Sequence, residues 1–150
     1  MENNIIFNLS YTFYNSDIQN YIKCYIQKIK KSKDPILEEI SKIEDDKYKF
    51  KFKKKLPLFL SSFFKIKSIN YEEYIIKKNG MIEINTIQNI NNYNLKCCSF
   101  LKQNIKNIIM TSIISIDKFP FLLSPFLKTY IKNTFENERK EENDILINLN

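Results

Sequence analysis

The chain has 150 residues, a formal charge of +7 and a hydrophobic fraction of 43%. That is the length and composition of one globular domain with its own core, and it excludes a disordered chain. No stretch approaches the roughly 20 apolar residues of a membrane-spanning helix, and the first residues lack the apolar run of a secretory signal. Alanine, valine, histidine and tryptophan are absent, and Gly80 is the only glycine. Asparagine, isoleucine and lysine are heavily used instead, a skew of the kind an AT-rich genome produces.

Residues 5–14 alternate, with Ile5, Phe7, Leu9, Tyr11 and Phe13 on one face. A period of two predicts a half-buried strand. Ser16 then reads as an N-cap with Gln19 as its capping-box partner. Ile18, Tyr21, Ile22, Tyr25, Ile26 and Ile29 follow at helical spacing, which predicts an amphipathic helix to about Lys30. Asp34-Pro35 ends it.

Strands are predicted at residues 36–43 and 47–55, joined by a turn at Glu44-Asp45-Asp46. The second alternates clearly: Tyr48, Phe50 and Phe52 inward, and Lys47, Lys49, Lys51 and Lys53 outward. Leu56-Pro57 closes it. Residues 58–64 are short, apolar and bounded by Pro57, and read as a helical turn or lid. Strands follow at 67–77 and 81–88, joined by Asn79-Gly80, the strongest short hairpin signal. Two more are predicted at 94–102 and 107–116, with a turn near Gln103-Asn104. Ser124-Pro125 supplies an N-cap and a first-turn proline. From there Phe126, Leu127, Tyr130, Ile131, Thr134, Phe135, Ile145, Leu146 and Leu149 mark one stripe of a long helix. Its charged part, residues 136–144, is expected to leave the core.

The expected fold is therefore α+β: a seven-stranded curved antiparallel sheet, a helix after strand 1 and a long C-terminal helix. Such a sheet must curl or be covered, and the long helix is its natural cover. The space between them is either filled by side chains or left as an apolar cavity.

Chemistry in the sequence is sparse. Without histidine the commonest general base and metal ligand is missing, and one glycine cannot build a phosphate-cradling loop. No metal-ligand spacing is present, so neither catalysis nor a metal or cofactor is expected. Cys24, Cys97 and Cys98 form no disulfide framework, and Cys97 and Cys98 on one strand should face opposite sides. The positive charge suits anionic lipid surfaces or nucleic acid, or is a lysine coat. Nucleic-acid binding lacks a recognition helix or exposed stacking aromatics.

The element order resembles the START-like, helix-grip superfamily, and within it the PRELI family of mitochondrial lipid-transfer proteins. The resemblance rests on Lys55-Leu56-Pro57-Leu58-Phe59, on Tyr71-Glu72-Glu73-Tyr74, on Thr86-Ile87-Gln88-Asn89-Ile90, on Tyr11-Thr12-Phe13 and on Arg139. It implies movement of phosphatidic acid or phosphatidylserine between membranes, a mitochondrial intermembrane-space location, and a small helical partner with paired cysteine motifs. It implies transient contact with a membrane surface as well.

On this reading Phe7, Leu9, Tyr11, Phe50, Phe52, Leu127 and Ile131 line a cavity for acyl chains. Lys55 and Arg139, with Lys128 and Lys132 behind them, meet the phospholipid headgroup. Pro57, Leu58, Phe59, Leu60, Phe63 and Phe64 form the lid. Each assignment has a plainer counterpart. The aromatics serve equally as ordinary core, the lid as a core turn, and Arg139 as a partner for Glu136, Glu138, Glu141 and Glu142. A non-catalytic interaction module with a filled core is the alternative function.

Overall fold

The computed structural model describes residues 2–149. Seven strands run in the spatial order β1-β7-β6-β5-β4-β3-β2, every neighbouring pair antiparallel. They are β1 (Glu2–Phe13), β2 (Ile36–Glu44), β3 (Lys47–Lys55), β4 (Ser68–Lys78), β5 (Met81–Ile90), β6 (Tyr93–Asn104) and β7 (Asn107–Pro120). Strands β2 to β7 form an unbroken meander, and β1 joins at its far edge beside β7. Three helices complete the chain: α1 (Tyr21–Lys31), α2 (Leu58–Phe64) and α3 (Ser124–Leu149).

Alternation drives the sheet. In β7, Ile108, Met110, Ser112, Ile114 and Ile116 are buried, while Ile109, Thr111 and Ile113 between them are exposed. The β4–β5 turn carries Asn79 at φ 38° and Gly80 at φ 77°. Two consecutive positive φ values are what a two-residue hairpin requires, and glycine adopts them without steric cost.

Several boundaries differ from expectation. A short 3-10 turn (Ile18–Asn20) precedes α1, and Asp17, not Ser16, caps it by accepting from the Gln19 amide at 2.9 Å. The Ser16 hydroxyl instead donates to the Tyr14 carbonyl. The β6–β7 turn falls after Asn104, because the Gln103 side chain is committed elsewhere. Its Oε1 accepts from the Ile18 amide at 2.7 Å and its Nε2 donates to the Ser16 carbonyl at 3.0 Å. Gln103 thereby ties the start of α1 to the sheet. Ser124 opens α3 after a second 3-10 turn (Phe121–Leu123), with its hydroxyl donating to the Pro120 carbonyl.

The largest correction concerns α3. Its charged part does not leave the core: Arg139 is 6% exposed and Glu142 0%. Both continue the buried stripe of Leu127, Phe135 and Leu146. They are tolerated because their charges meet inside. Arg139 Nη2 donates to Glu142 Oε2 at 3.0 Å. Its Nε lies 2.7 Å from Oε1 but is not aimed along a hydrogen bond, so that approach is a charge contact. Lys28 of α1 pairs with the same carboxylate, and the Tyr21 hydroxyl donates to it at 3.1 Å. The Cys24 thiol donates to the Glu142 carbonyl. Burial alone would push the Glu142 carboxyl up, but Arg139 and Lys28 together hold it below the usual range.

Glu142 thus joins α1 to α3 across the concave side of the sheet. Removing one member of a buried charge group strands the others and costs about 3–5 kcal/mol, whereas apolar replacement of the whole group is often neutral. Glu142→Gln is therefore expected to lose about 3 kcal/mol or more in urea unfolding. Replacing Lys28 and Arg139 with Met and Glu142 with Leu together should recover most of it. A loss under about 1 kcal/mol for the single variant would remove Glu142 from this role.

Candidate functional site

The buried side chains form two clusters. One gathers Phe13, Tyr21, Tyr25, Phe50, Ile75, Leu101 and Phe135, the other Ile5, Leu60, Leu95, Ile116, Phe119 and Leu127. A cavity of about 210 Å³ is lined from both, between the sheet's concave face and α3.

Small side chains leave this space. Across β4, β5, β6 and β7, one register row reads Glu73, Thr86, Cys97, Ile114, and the next Ile75, Ile84, Ser99, Ser112. Thr86, Cys97 and Ser99 border the cavity from the middle of the sheet, where bulky residues would have closed it. The Ser99 and Ser112 hydroxyls satisfy each other at 2.6 Å, so no buried polar atom is stranded there.

The walls divide by chemistry. Leu56, Leu60, Ile90, Leu95, Leu127 and Ile131 form an apolar part beside α2. Tyr25, Lys28, Tyr71, Glu73, Thr86 and Arg139 form a polar part beside α1. Glu73 is half-buried, and its side chain borders the cavity. Tyr25 donates its hydroxyl to Oε2 and Thr86 donates to Oε1 at 3.0 Å. Burial pushes the Glu73 carboxyl above its ordinary value, against the pull of those hydroxyls and of Lys28. Cys97 and Cys98 do face opposite sides. Burial pushes the cavity-facing Cys97 thiol up to about 11, which keeps it protonated at neutral pH.

The sequence-predicted residues distribute unevenly. Phe52, Leu60, Leu127, Ile131 and Arg139 line the cavity. Phe50 is wholly buried in the first cluster beside Tyr25, and Phe7, Leu9 and Tyr11 pack against the clusters rather than bordering the space. Lys55 points outward, and its backbone amide donates to Asp34 Oδ1 at 2.9 Å. The strand's alternation places Lys54 inward in its stead. Its ammonium sits 5.3 Å from the centre of the Tyr130 ring, and it borders the cavity. Lys128 and Lys132 are exposed and lie outside the lining. Arg139 reaches the cavity with its charge already met by Glu142 and by Glu138 at 3.2 Å.

The lid residues form α2, with Pro57 at its N-cap. Leu60 is buried and roofs the apolar part, while Leu58 is 80% exposed. Phe59 packs against Phe126 and Tyr130 of α3, and Phe64 against Tyr93 and Phe119. Sequence reading missed the neighbouring surface. Leu58 and Phe63 of α2 are exposed, as are Phe121, Leu122 and Phe126 at the approach to and start of α3, and Phe59 packing on Phe126 joins the two segments into an apolar crest. Residues 57–67 and 117–132 carry five lysines against the single carboxylate of Asp117.

The raised carboxyl of Glu73 has a signed consequence. Its folded form binds the proton more tightly than the unfolded chain, so its contribution is full at low pH and is lost as pH rises past its ordinary value near 4.5. Glu142 acts oppositely, losing its contribution as pH falls. The difference between wild type and Glu73→Gln isolates Glu73. In urea unfolding, the variant should gain on wild type as pH rises above 4.5, and the gain should level off once the folded carboxyl has ionised. A constant difference from pH 4.5 to pH 7.5 would contradict the assignment.

No protein-family profile and no curated protein matches the sequence. Solved structures match its fold. The di-domain ARO/CYC StfQ from the steffimycin biosynthetic pathway aligns with a TM-score of 0.61 at 7% identity, over 95% of this chain and 49% of its own. Human STARD10 aligns at 0.60 and 7% identity, over 95% of this chain and 63% of its own. A conserved protein from Geobacillus kaustophilus aligns at 0.59 and 12% identity, over 96% of both chains. The chain thus spans less than two thirds of the first two. Identities this low carry the fold and nothing finer. That fold, a curved seven-stranded antiparallel sheet gripped by a long C-terminal helix, is the START-like helix-grip fold.

Proposed function

We propose that this chain is a non-catalytic carrier that binds a lipid-like amphiphile in the cavity and exchanges it with a membrane surface at the α2 crest. The observation that carries the reading is the two-part cavity, apolar beneath Leu60 and polar beside Glu73 and Arg139. A hollow of this kind takes hydrocarbon out of water at about 0.8 kcal/mol per methylene. By fold-level analogy, the helix-grip architecture supports ligand binding in this space.

Exchange needs a way in. Leu60 closes the apolar end, and α2 is a seven-residue helix held chiefly by ring contacts. Its displacement would open the cavity onto the crest. Exposed Leu58, Phe63 and Leu122 would enter the headgroup region, with Lys65, Lys118, Lys128 and Lys132 meeting anionic lipid. In this scheme Lys128 and Lys132 act at the membrane and not on the ligand inside.

Cavity size bears on the finer PRELI-like version of the proposal, with a diacyl phospholipid as cargo. Pockets for drug-sized ligands occupy about 300–1,000 Å³. At about 210 Å³ the cavity as it stands falls below that range, so two long acyl chains require α2 or α3 to move. The competing interaction-module reading is disfavoured by the unfilled space. Nucleic-acid binding is disfavoured by the outer face of β3, where Lys49 pairs with Glu72 at 3.3 Å and Lys51 with Glu39 at 3.4 Å. Catalysis is disfavoured by the missing histidine and the protonated Cys97.

Transfer of a fluorescent single-chain lipid between anionic vesicles tests the proposal. Wild type should accelerate transfer at least tenfold over the spontaneous rate. Leu58→Asp with Leu122→Asp, both at exposed positions, should abolish the acceleration without lowering the melting temperature by more than a few degrees. No acceleration by wild type, together with no lipid recovered by solvent extraction of the purified protein, would refute it.

A further inference from the structure

Every cation at the inner end of the cavity is already paired. Lys28 and Arg139 share Glu142, and Glu138 lies within 4.0 Å of Lys28 and 3.2 Å of Arg139. Lys54, one same-face step along β3 from the Tyr71 partner Phe52, holds its ammonium over the Tyr130 ring. Glu73 stands differently. It forms no ion pair among the described residues, and its two oxygens accept one hydroxyl each, from Tyr25 and Thr86. A carboxylate offers about four acceptor positions, so Glu73 retains capacity toward the cavity. Tyr71 lines the same part of the cavity, and its hydroxyl has no protein partner among the described residues.

We infer that the ligand is a compact, single-chain or small-ring amphiphile whose head is a hydrogen-bond donor, a hydroxyl or an ammonium, seated against Glu73 and Tyr71. This deepens the carrier reading and rests on it. An anionic head against Glu73 would face that carboxylate, with Lys28 and Arg139 already committed to Glu142 and Glu138 and Lys54 turned over the Tyr130 ring, so its lost hydration would be poorly compensated. Glu73 keeps its hydroxyl partners as acceptor and turns its remaining positions to the incoming donor. The apolar part then receives the chain beneath Leu60. The cavity's size limits that chain, since about 210 Å³ lies under the range for larger ligands.

Three ten-carbon probes differing only at the head decide the matter: 1-decanol, decylamine and decanoate. Each is titrated at pH 7 against wild-type protein carrying an uncharged solvatochromic dye in its cavity. The protein's positive charge favours decanoate at any nonspecific site, so the comparison is stringent. Decanol and decylamine should displace the dye at concentrations at least tenfold below decanoate. In Glu73→Gln, decylamine should lose about tenfold while decanol changes less than threefold. Decanoate binding as tightly as the other two would overturn the head assignment and leave the carrier reading standing. If no probe displaces the dye, and none binds by direct calorimetry, both fall together. The wild-type series suffices should Glu73→Gln not fold.

Discussion

A single buried carboxylate holds the grip closed. Glu142 sits within the stripe that α3 turns to the sheet, and it gathers Arg139 from its own helix with Lys28 and Tyr21 from the N-terminal segment. Two cations and one anion in a dry interior are costly unless each is met, and the half-exposed Glu138 supplies the balance. The arrangement fixes where α1 and α3 lie relative to each other. It therefore fixes the roof and side wall of the cavity as well.

The floor is set by a different choice. A sheet this wide could fill its concave side with isoleucine and phenylalanine, as it does at Phe50, Ile75 and Ile116. Along β5 and β6 it places Thr86, Cys97 and Ser99 there instead. The consequence is a hollow between two core clusters that do not merge. Empty apolar volume lowers stability, so a hollow of this size is a standing cost unless it is occupied. That cost, and the contrast between the Leu60 part and the Glu73 part, point to a bound ligand; the charge of the molecule as a whole does not.

The sheet was largely legible because a period of two is visible in strands such as β1, β3 and β7, and Asn79-Gly80 marks a tight hairpin. The helices were legible in place but not in detail. In α3, the buried positions after Phe135 are occupied by Arg139 and Glu142, so a search for apolar periodicity loses the stripe where the charges meet one another. Spacing alone carried the signal, since 135, 139, 142 and 146 continue the same face. Lys55 draws attention by its place before Leu56-Pro57, while the alternation of Tyr48, Phe50 and Phe52 turns its neighbour Lys54 inward. The hollow itself was unreadable, because volume depends on how far α3 stands from the sheet. In retrospect, small polar residues at inward positions of central strands were its trace. The apolar crest was hidden for another reason: α2 meets the start of α3 through the packing of Phe59 on Phe126, which spacing along the chain does not reveal.

The central claim is that a hydrophobic ligand occupies the space between the sheet and α3. Methyl-resolved NMR during titration with 1-decanol addresses it directly, because neighbouring isoleucines face opposite sides of the same strands. Saturable shifts are expected at Ile90, Leu95, Ile114 and Leu127, which line the cavity, with Ile6, Ile109 and Ile113 on the exposed face unmoved. Shifts confined to Ile6, Ile109 and Ile113, or shifts that never saturate, would contradict the account.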